Sequence, residues 1–238
     1  MREPLSRGPL ARRRARCRGG AAGLALLACL MATLSPLVGT RAAVAAETAS
    51  TPDESAAAEA VVRTATESVM RELRNIKQSD SGGRERVLRM VDELILPHFD
   101  FDRMSRWVLG RYWKRAAADE QQAFIREFRG LLVRTYASAL VDYADEMVEF
   151  LPSRVRPNSE VSVRTVVSRS NGPGIPITYE MHERNGHWKV YDVSVEGVSL
   201  VINYRNSFTA EVKRNGLRHL VEQLRVHNQK QGSANQSG

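Results

Sequence analysis

The side chains able to do chemistry are few and scattered. The histidines are His98, His182, His187, His219 and His227, and no two have the close helical spacing of a zinc motif. His182 and His187 flank Asn185-Gly186, a two-residue hairpin turn, so they lie near each other. No acidic third ligand is evident beside them, and exposed strand-end histidines are the better reading; no metal site is expected. There is no Gly-rich phosphate loop and no Gly-x-Ser-x-Gly elbow. Asp100 with Asp102, and Asp145 with Glu146, are close carboxylate pairs, but helix caps and solvated faces account for them better than acid–base catalysis. Asp192 is the one carboxylate to watch, because it stands between Tyr191 and Val193 in an apolar stretch. A buried acid must be paired, so a bond to an arginine or to backbone is expected there. The residues therefore predict neither a catalytic constellation nor a cofactor site.

The first 46 residues read as a cleaved signal peptide. Arg2, Arg7, Arg12, Arg13, Arg14, Arg16 and Arg18 form a positive region, and residues 21–34 are an uncharged, mostly apolar run. Ser35 and Pro36 break any helix, and Ala43-Val44-Ala45 or Val44-Ala45-Ala46 offers small residues for cleavage. Spanning a membrane needs about 20 apolar residues, which this run lacks. Arg12-Arg13-Arg14 leaves general and twin-arginine export both open. Leu26-Leu27-Ala28-Cys29 leaves too short an apolar stretch for a lipoprotein site.

Export changes the charge argument. The chain has 35 basic and 27 acidic side chains. Residues 1–46 hold eight of the basic ones and Glu3 alone of the acidic ones, leaving 27 against 26, a net of +1. That balance gives no support to nucleic-acid binding, which needs a basic patch. Cys17 and Cys29 are both in the signal, so the mature chain has no disulfide, cysteine–metal site or thiol nucleophile. A domain of about 170 residues can bury enough surface to do without them.

The rest of the chain falls into helices, strands and helices again. Residues 47–58 read as a flexible leader and 231–238 as a disordered tail. Val61, Val62, Ala65, Val69, Leu73 and Ile76 recur at three and four residues, predicting a helix over 58–76. Gly82-Gly83 breaks it, and a second helix ends before Pro97. Asp100 is a natural N-cap for a third, carrying Met104, Trp107 and Val108. A fourth is predicted over 119–143 from the stripe of Phe124, Phe128, Leu131, Leu132, Tyr136, Ala139, Leu140 and Tyr143. Residues 148–151, 161–168, 175–184 and 187–196 alternate as strands. Trp188 and Val190 share one parity and Val193 and Val195 the other, which a bulge near Tyr191-Asp192 reconciles. Helices are predicted over 200–215, ended by Gly216, and over 217–226. This order predicts an α+β fold, with helices packed on one antiparallel sheet of four to five strands.

Two stretches carry a resemblance. One runs Leu96-Pro97-His98-Phe99-Asp100-Phe101, then Met104-Ser105-Arg106-Trp107-Val108-Leu109-Gly110-Arg111-Tyr112-Trp113, with Phe124, Phe128, Leu132 and Tyr136 following. The other runs Trp188-Lys189-Val190-Tyr191-Asp192-Val193, Glu196-Gly197-Val198-Ser199-Leu200, Asn203-Tyr204-Arg205 and Phe208. Over about residues 60–228 the chain resembles the MlaC family, also called the toluene-tolerance family; 152–160 and both termini carry no motif. The resemblance implies an MlaC-like domain over 59–230 and an apolar lipid cavity between sheet and helices. It implies a soluble periplasmic phospholipid carrier that maintains outer-membrane lipid asymmetry, without catalysis or cofactor. Its implied partners are an outer-membrane lipoprotein–porin complex and an inner-membrane ABC transporter with a lipid-binding subunit.

With that cavity in view, the helix stripes and strand parity nominate a lipid-binding wall: Trp107, Val108, Leu132, Tyr136, Leu140, Val161, Val163, Ile177, Tyr179, Met181, Val193 and Val195. The same side chains could simply fill a core. Two other classes are weighed: a small-molecule enzyme on a cone-shaped α+β fold, with Asp192 and Tyr179 or Tyr191 as its polar pair, and a lipoprotein chaperone, which would lack both motifs. The signal yields its own test. Intact mass of the exported protein should fit an N-terminus near Ala46 or Glu47, whereas a full-length membrane-embedded product would refute cleavage.

Overall fold

The computed structural model describes residues 52–78, 83–169 and 172–234. The expected signal, most of the leader and the last four residues lie outside the described residues. Among the described residues there are six α-helices: α1 (Pro52–Lys77), α2 (Gly83–Met90), α3 (Phe101–Leu109), α4 (Ala118–Tyr136), α5 (Leu200–Asn215) and α6 (Leu217–Ala234). Five strands, β1 (Val148–Arg156), β2 (Glu160–Val167), β3 (Ile175–Arg184), β4 (His187–Val195) and β5 (Val198–Ser199), form one antiparallel sheet in sequence order. The fold is α+β, as the pattern predicts.

Helix ends differ from the expected ones for identifiable reasons. α1 begins at Pro52, inside the stretch read as a leader. Proline suits a first helical turn, and Ala58 is wholly buried, so tertiary packing extends the helix. α6 runs to Ala234, past the expected start of the tail. The predicted second helix is α2 followed by a π-helical stretch, Val91–Ile95, and a single 3-10 turn at Pro97. The predicted fourth helix tightens after Tyr136 into 3-10 geometry over Ala137–Tyr143.

The sheet carries its register in its turns. Asn185-Gly186 and Glu196-Gly197 both have positive φ at each residue, the geometry of tight hairpin turns that match strand twist. Between β3 and β4, Met181 pairs with Val190 but Glu180 pairs with Asp192, so Tyr191 is the extra residue of a bulge. The bulge keeps Val190 and Val193 on one apolar surface with Val161, Val163 and Met181. It sends Tyr191 instead into a helical core with Met104, Val108, Phe124, Phe128 and Phe208. β1 is longer than expected. It continues through Pro152 to Arg156 because a register shift between Leu151 and Arg154 accommodates the proline.

α1 crosses the apolar surface of the sheet, where Ala58 and Val62 pack with Val161, Val163 and Met181. Farther along, Val69, Leu73 and Ile76 pack with Val87, Met90, Val91 and Ala137. Each fully buried aliphatic side chain contributes about 1.5–3 kcal/mol, so α1 is anchored at both ends by different partners.

The segment between α2 and α3 is fastened to the hairpin of β3 and β4. Phe99 and Val190 form a parallel bridge, and the Asp100 N–H donates to the Val190 carbonyl at 2.8 Å. The Lys189 ammonium donates to the Pro97 carbonyl at 2.5 Å. The Asp100 carboxylate caps α3 by accepting from the Arg103 N–H at 2.9 Å, and also binds Arg184 at 2.8 Å and His182 at 3.0 Å. His182 is therefore not the exposed strand-end residue expected. Burial would raise the Asp100 pKa, but the Arg103 N–H, Arg184 and His182 together hold it below the ordinary carboxylate value. A depressed native pKa stabilises the fold above the unfolded value of about 3.9, and that stability is lost as pH falls through the native value. Asp100→Ala should cost about 1–3 kcal/mol at pH 7. In urea titrations its deficit against the parent should shrink as the solution is acidified below about pH 4; a pH-independent deficit would show that the carboxylate's charge is not what fastens the segment.

Candidate functional site

Between α1 and the sheet the protein does not close. A cavity of about 740 Å³ opens there. α1 supplies Val61, Val62, Ala65, Thr66, Val69 and Leu73, and the fastened segment supplies Ile95, Leu96, His98, Phe99 and Phe101. Leu132, Tyr136, Ala137, Ala139, Leu140 and Tyr143 come from the end of α4 and the 3-10 stretch beyond it. The sheet contributes Val167, Ile175, Ile177, Tyr179, Val190, Val193 and Val195. Many of these are small or β-branched, and such side chains are too short to meet across the gap. Protein interiors rarely leave voids larger than a water molecule, so the space is a site rather than a packing fault.

Its polar groups are few. Thr66, His98 and Tyr179 are partly buried in the wall. Burial first, and then the charge of Lys189, push the His98 imidazole below its usual value, which favours the neutral ring. Tyr136, 41 % exposed, and Val198, 59 % exposed, belong to the exposed rim of the lining, as do Glu196 and Asn203. Tyr204 stands behind the rim, its phenol raised to about 12 by burial and by its contact with Tyr136. No lysine or arginine lines the cavity among the described residues.

The nominated wall residues divide. Leu132, Tyr136, Leu140, Ile177, Tyr179, Val193 and Val195 line the cavity. Val161, Val163 and Met181 share the strand face with them but are fully buried under α1, so they are core. Val108 is fully buried among α3, α4 and α5. Trp107 is 45 % exposed and packs its ring 5.3 Å from that of Tyr191, outside the cavity. The nominations missed α1 and the segment 95–101, although the α1 stripe was visible as a helix face. Strand parity identifies a face but not which part of it a crossing helix covers.

Asp192 is accounted for structurally. It accepts from the Ser199 hydroxyl at 2.5 Å and the Val201 N–H at 3.1 Å, tying β4 to the first turn of α5. That is the backbone bond expected of a buried acid, not a catalytic pair with Tyr179 or Tyr191. Tyr191 instead donates to Glu160 at 2.7 Å, and Glu160 also binds Arg103. No group of three metal-ligating side chains occurs among the described residues, and no helix there is long and apolar enough to cross a membrane.

A family profile described as MlaC protein matches residues 63–226. The chain belongs to the MlaC family. It is 25 % identical over 157 residues to the toluene tolerance protein ttg2D of Pseudomonas putida, covering 66 % of this chain and 73 % of that one. It is 24 % identical over 134 residues to the intermembrane phospholipid transport system binding protein MlaC of Haemophilus influenzae, covering 55 % of this chain and 63 % of that one. A phospholipid-binding protein from Ralstonia solanacearum, solved in complex with a phospholipid, superposes with a TM-score of 0.65 at 31 % identity. That match covers 74 % of this chain and 98 % of the other.

The division between wall and core is measurable. Val163→Ala should destabilise the lipid-free protein by about 2 kcal/mol, as a truncation in a packed core does. Val195→Ala should cost less than about 1 kcal/mol, because Val195 is only partly buried and one side of it faces the cavity rather than protein. Equal losses in urea denaturation would mean that Val195 packs against protein.

Proposed function

We propose that the protein is a soluble periplasmic phospholipid carrier that holds acyl tails in the cavity beneath α1. The observation that carries this reading is the unfilled apolar space of about 740 Å³, open to solvent. The MlaC membership and the phospholipid complex of the Ralstonia protein support it. The headgroup stays at the rim, because burying a phosphate needs paired cations and among the described residues no lysine or arginine lines the wall. The protein carries its cargo without making or breaking a covalent bond and needs no cofactor. The N-terminal segment directs export and is removed.

Energetics shape how such a carrier unloads. At about 0.8 kcal/mol per methylene, two tails of about 15 buried methylenes gain about 24 kcal/mol over water as an upper bound. That exceeds the practical ceiling for affinity of about 18–21 kcal/mol. Escape into water is therefore too slow to matter, and the lipid has to pass into another apolar site on a docked partner. Donor and acceptor are then nearly isoenergetic. The partners in this reading are an outer-membrane lipoprotein–porin complex and an inner-membrane ABC transporter with a lipid-binding subunit.

Mass spectrometry of the organic extract of purified mature protein should find phospholipid. Folded protein that yields none would overturn the carrier reading. Ile177→Glu, placing a charge against the tails, should weaken lipid retention by on the order of 100-fold while the domain still melts cooperatively. Full lipid occupancy in this variant would remove Ile177 from the wall.

A further inference from the structure

Tyr179, in the wall, and Thr165, buried behind it, have no obvious task in holding hydrocarbon. Tyr179 lines the cavity from β3. Val163 is its cross-strand partner and Thr165 pairs with Ile177, so Thr165 and Tyr179 are diagonal neighbours, within reach of an aromatic side chain. Thr165 is 1 % exposed, and its hydroxyl has no hydrogen-bond partner among the described residues. The Tyr179 phenol, raised by burial, interacts with that same hydroxyl, too loosely to complete a bond. Each hydroxyl can both donate and accept. Even a good bond between them would leave one donor unused, and buried polar groups are normally satisfied.

Once acyl tails fill the cavity and exclude water, the cargo is what can supply the missing acceptor. Acyl tails are methylenes throughout. The groups that enter with them and can accept a hydrogen bond are the ester carbonyls joining tail to glycerol. Tyr179 pairs with Val193, three residues before Glu196 at the rim. At about 3.4 Å per residue this sets the Tyr179 backbone about 10 Å along the sheet from the rim, on the inner side of a headgroup held there.

We infer that Tyr179, backed by Thr165, forms a polar hook in the wall of the lipid cavity that binds an acyl-ester carbonyl, making the carrier selective for ester-linked over ether-linked phospholipid. This rests on the carrier reading and adds a chemical class of cargo to it. The test is a competition. Mature protein is equilibrated with vesicles holding equal amounts of diester and diether phosphatidylglycerol with the same tails, and the lipids it extracts are weighed by mass spectrometry. The parent protein should take up the diester with an enrichment of about fivefold, the effect of one net hydrogen bond. Tyr179→Phe and Thr165→Val should each bring the ratio toward one. Both lipids are measured in one extract, so the ratio does not depend on how much lipid a variant holds. Equal uptake by the parent protein, or an undiminished enrichment in both variants, would overturn the hook while leaving the carrier intact. Uptake of neither lipid would overturn both.

Discussion

An apolar space that side chains do not fill has to be held open by the parts around it, and the rest of the architecture serves that end. At about 24 cal/mol per Å³ of void, a dry gap of about 740 Å³ would cost more than the about 5–15 kcal/mol that stabilises a typical domain. The walls must therefore be rigid independently of the gap, and the gap must be one that an apolar guest completes. Rigidity comes from two separately packed bodies. Phe124, Phe128 and Phe208 stack and cross within about 6 Å of one another among α4 and α5. Val161, Val163 and Met181 lock the sheet to the start of α1. Val62, Val190 and Val193 on the sheet side and Met104 and Leu132 on the helical side belong both to these cores and to the cavity lining, so the packed bodies themselves supply part of the wall.

The bulge at Tyr191 joins those bodies. With regular alternation, β4 could not present Val190 and Val193 to the sheet's apolar surface while sending Tyr191 to α3. The extra residue also frees Asp192 to bind the first turn of α5. Asp100 does the corresponding work at the other end, holding the segment that carries Phe99 and Phe101 against β4. In the sequence Asp100 reads as a helix cap, and Asp192 stands out as a carboxylate in an apolar stretch. Both are explained by backbone N–H groups at helix starts.

Much of this was legible beforehand. Asn185-Gly186 announced its hairpin, the broken parity of 188–195 required a bulge, and Asp100 was readable as a cap. Those signals are local, and local geometry leaves a mark on sequence. The cavity wall was legible only in part. Ile177 and Val163 have the same chemistry and parity, yet one faces the gap and the other lies under α1; the difference is set by where a helix more than 80 residues away crosses the sheet. His182 likewise looked like a strand-end residue, because its partner, Asp100, is 82 positions distant. Pro152 hid the second half of β1, since proline argues against a strand unless a bulge or an edge position receives it.

That proline has a consequence for the protein's life at high local concentration. A sheet ordered β1 to β5 has two open borders, and an open border is a template on which another copy can add a strand. At one border Pro152 removes an N–H, and the irregular pairing around it bends the run of free amide and carbonyl groups. At the other, β5 is two residues long, too short to seed a ladder, and the β4 backbone beyond it is met at Val190 by Phe99 and the Asp100 N–H. Both borders thus resist edge-to-edge polymerisation, and the chain can expose apolar side chains such as Val198 and Ile202 without the sheet itself becoming a nucleus for fibrils.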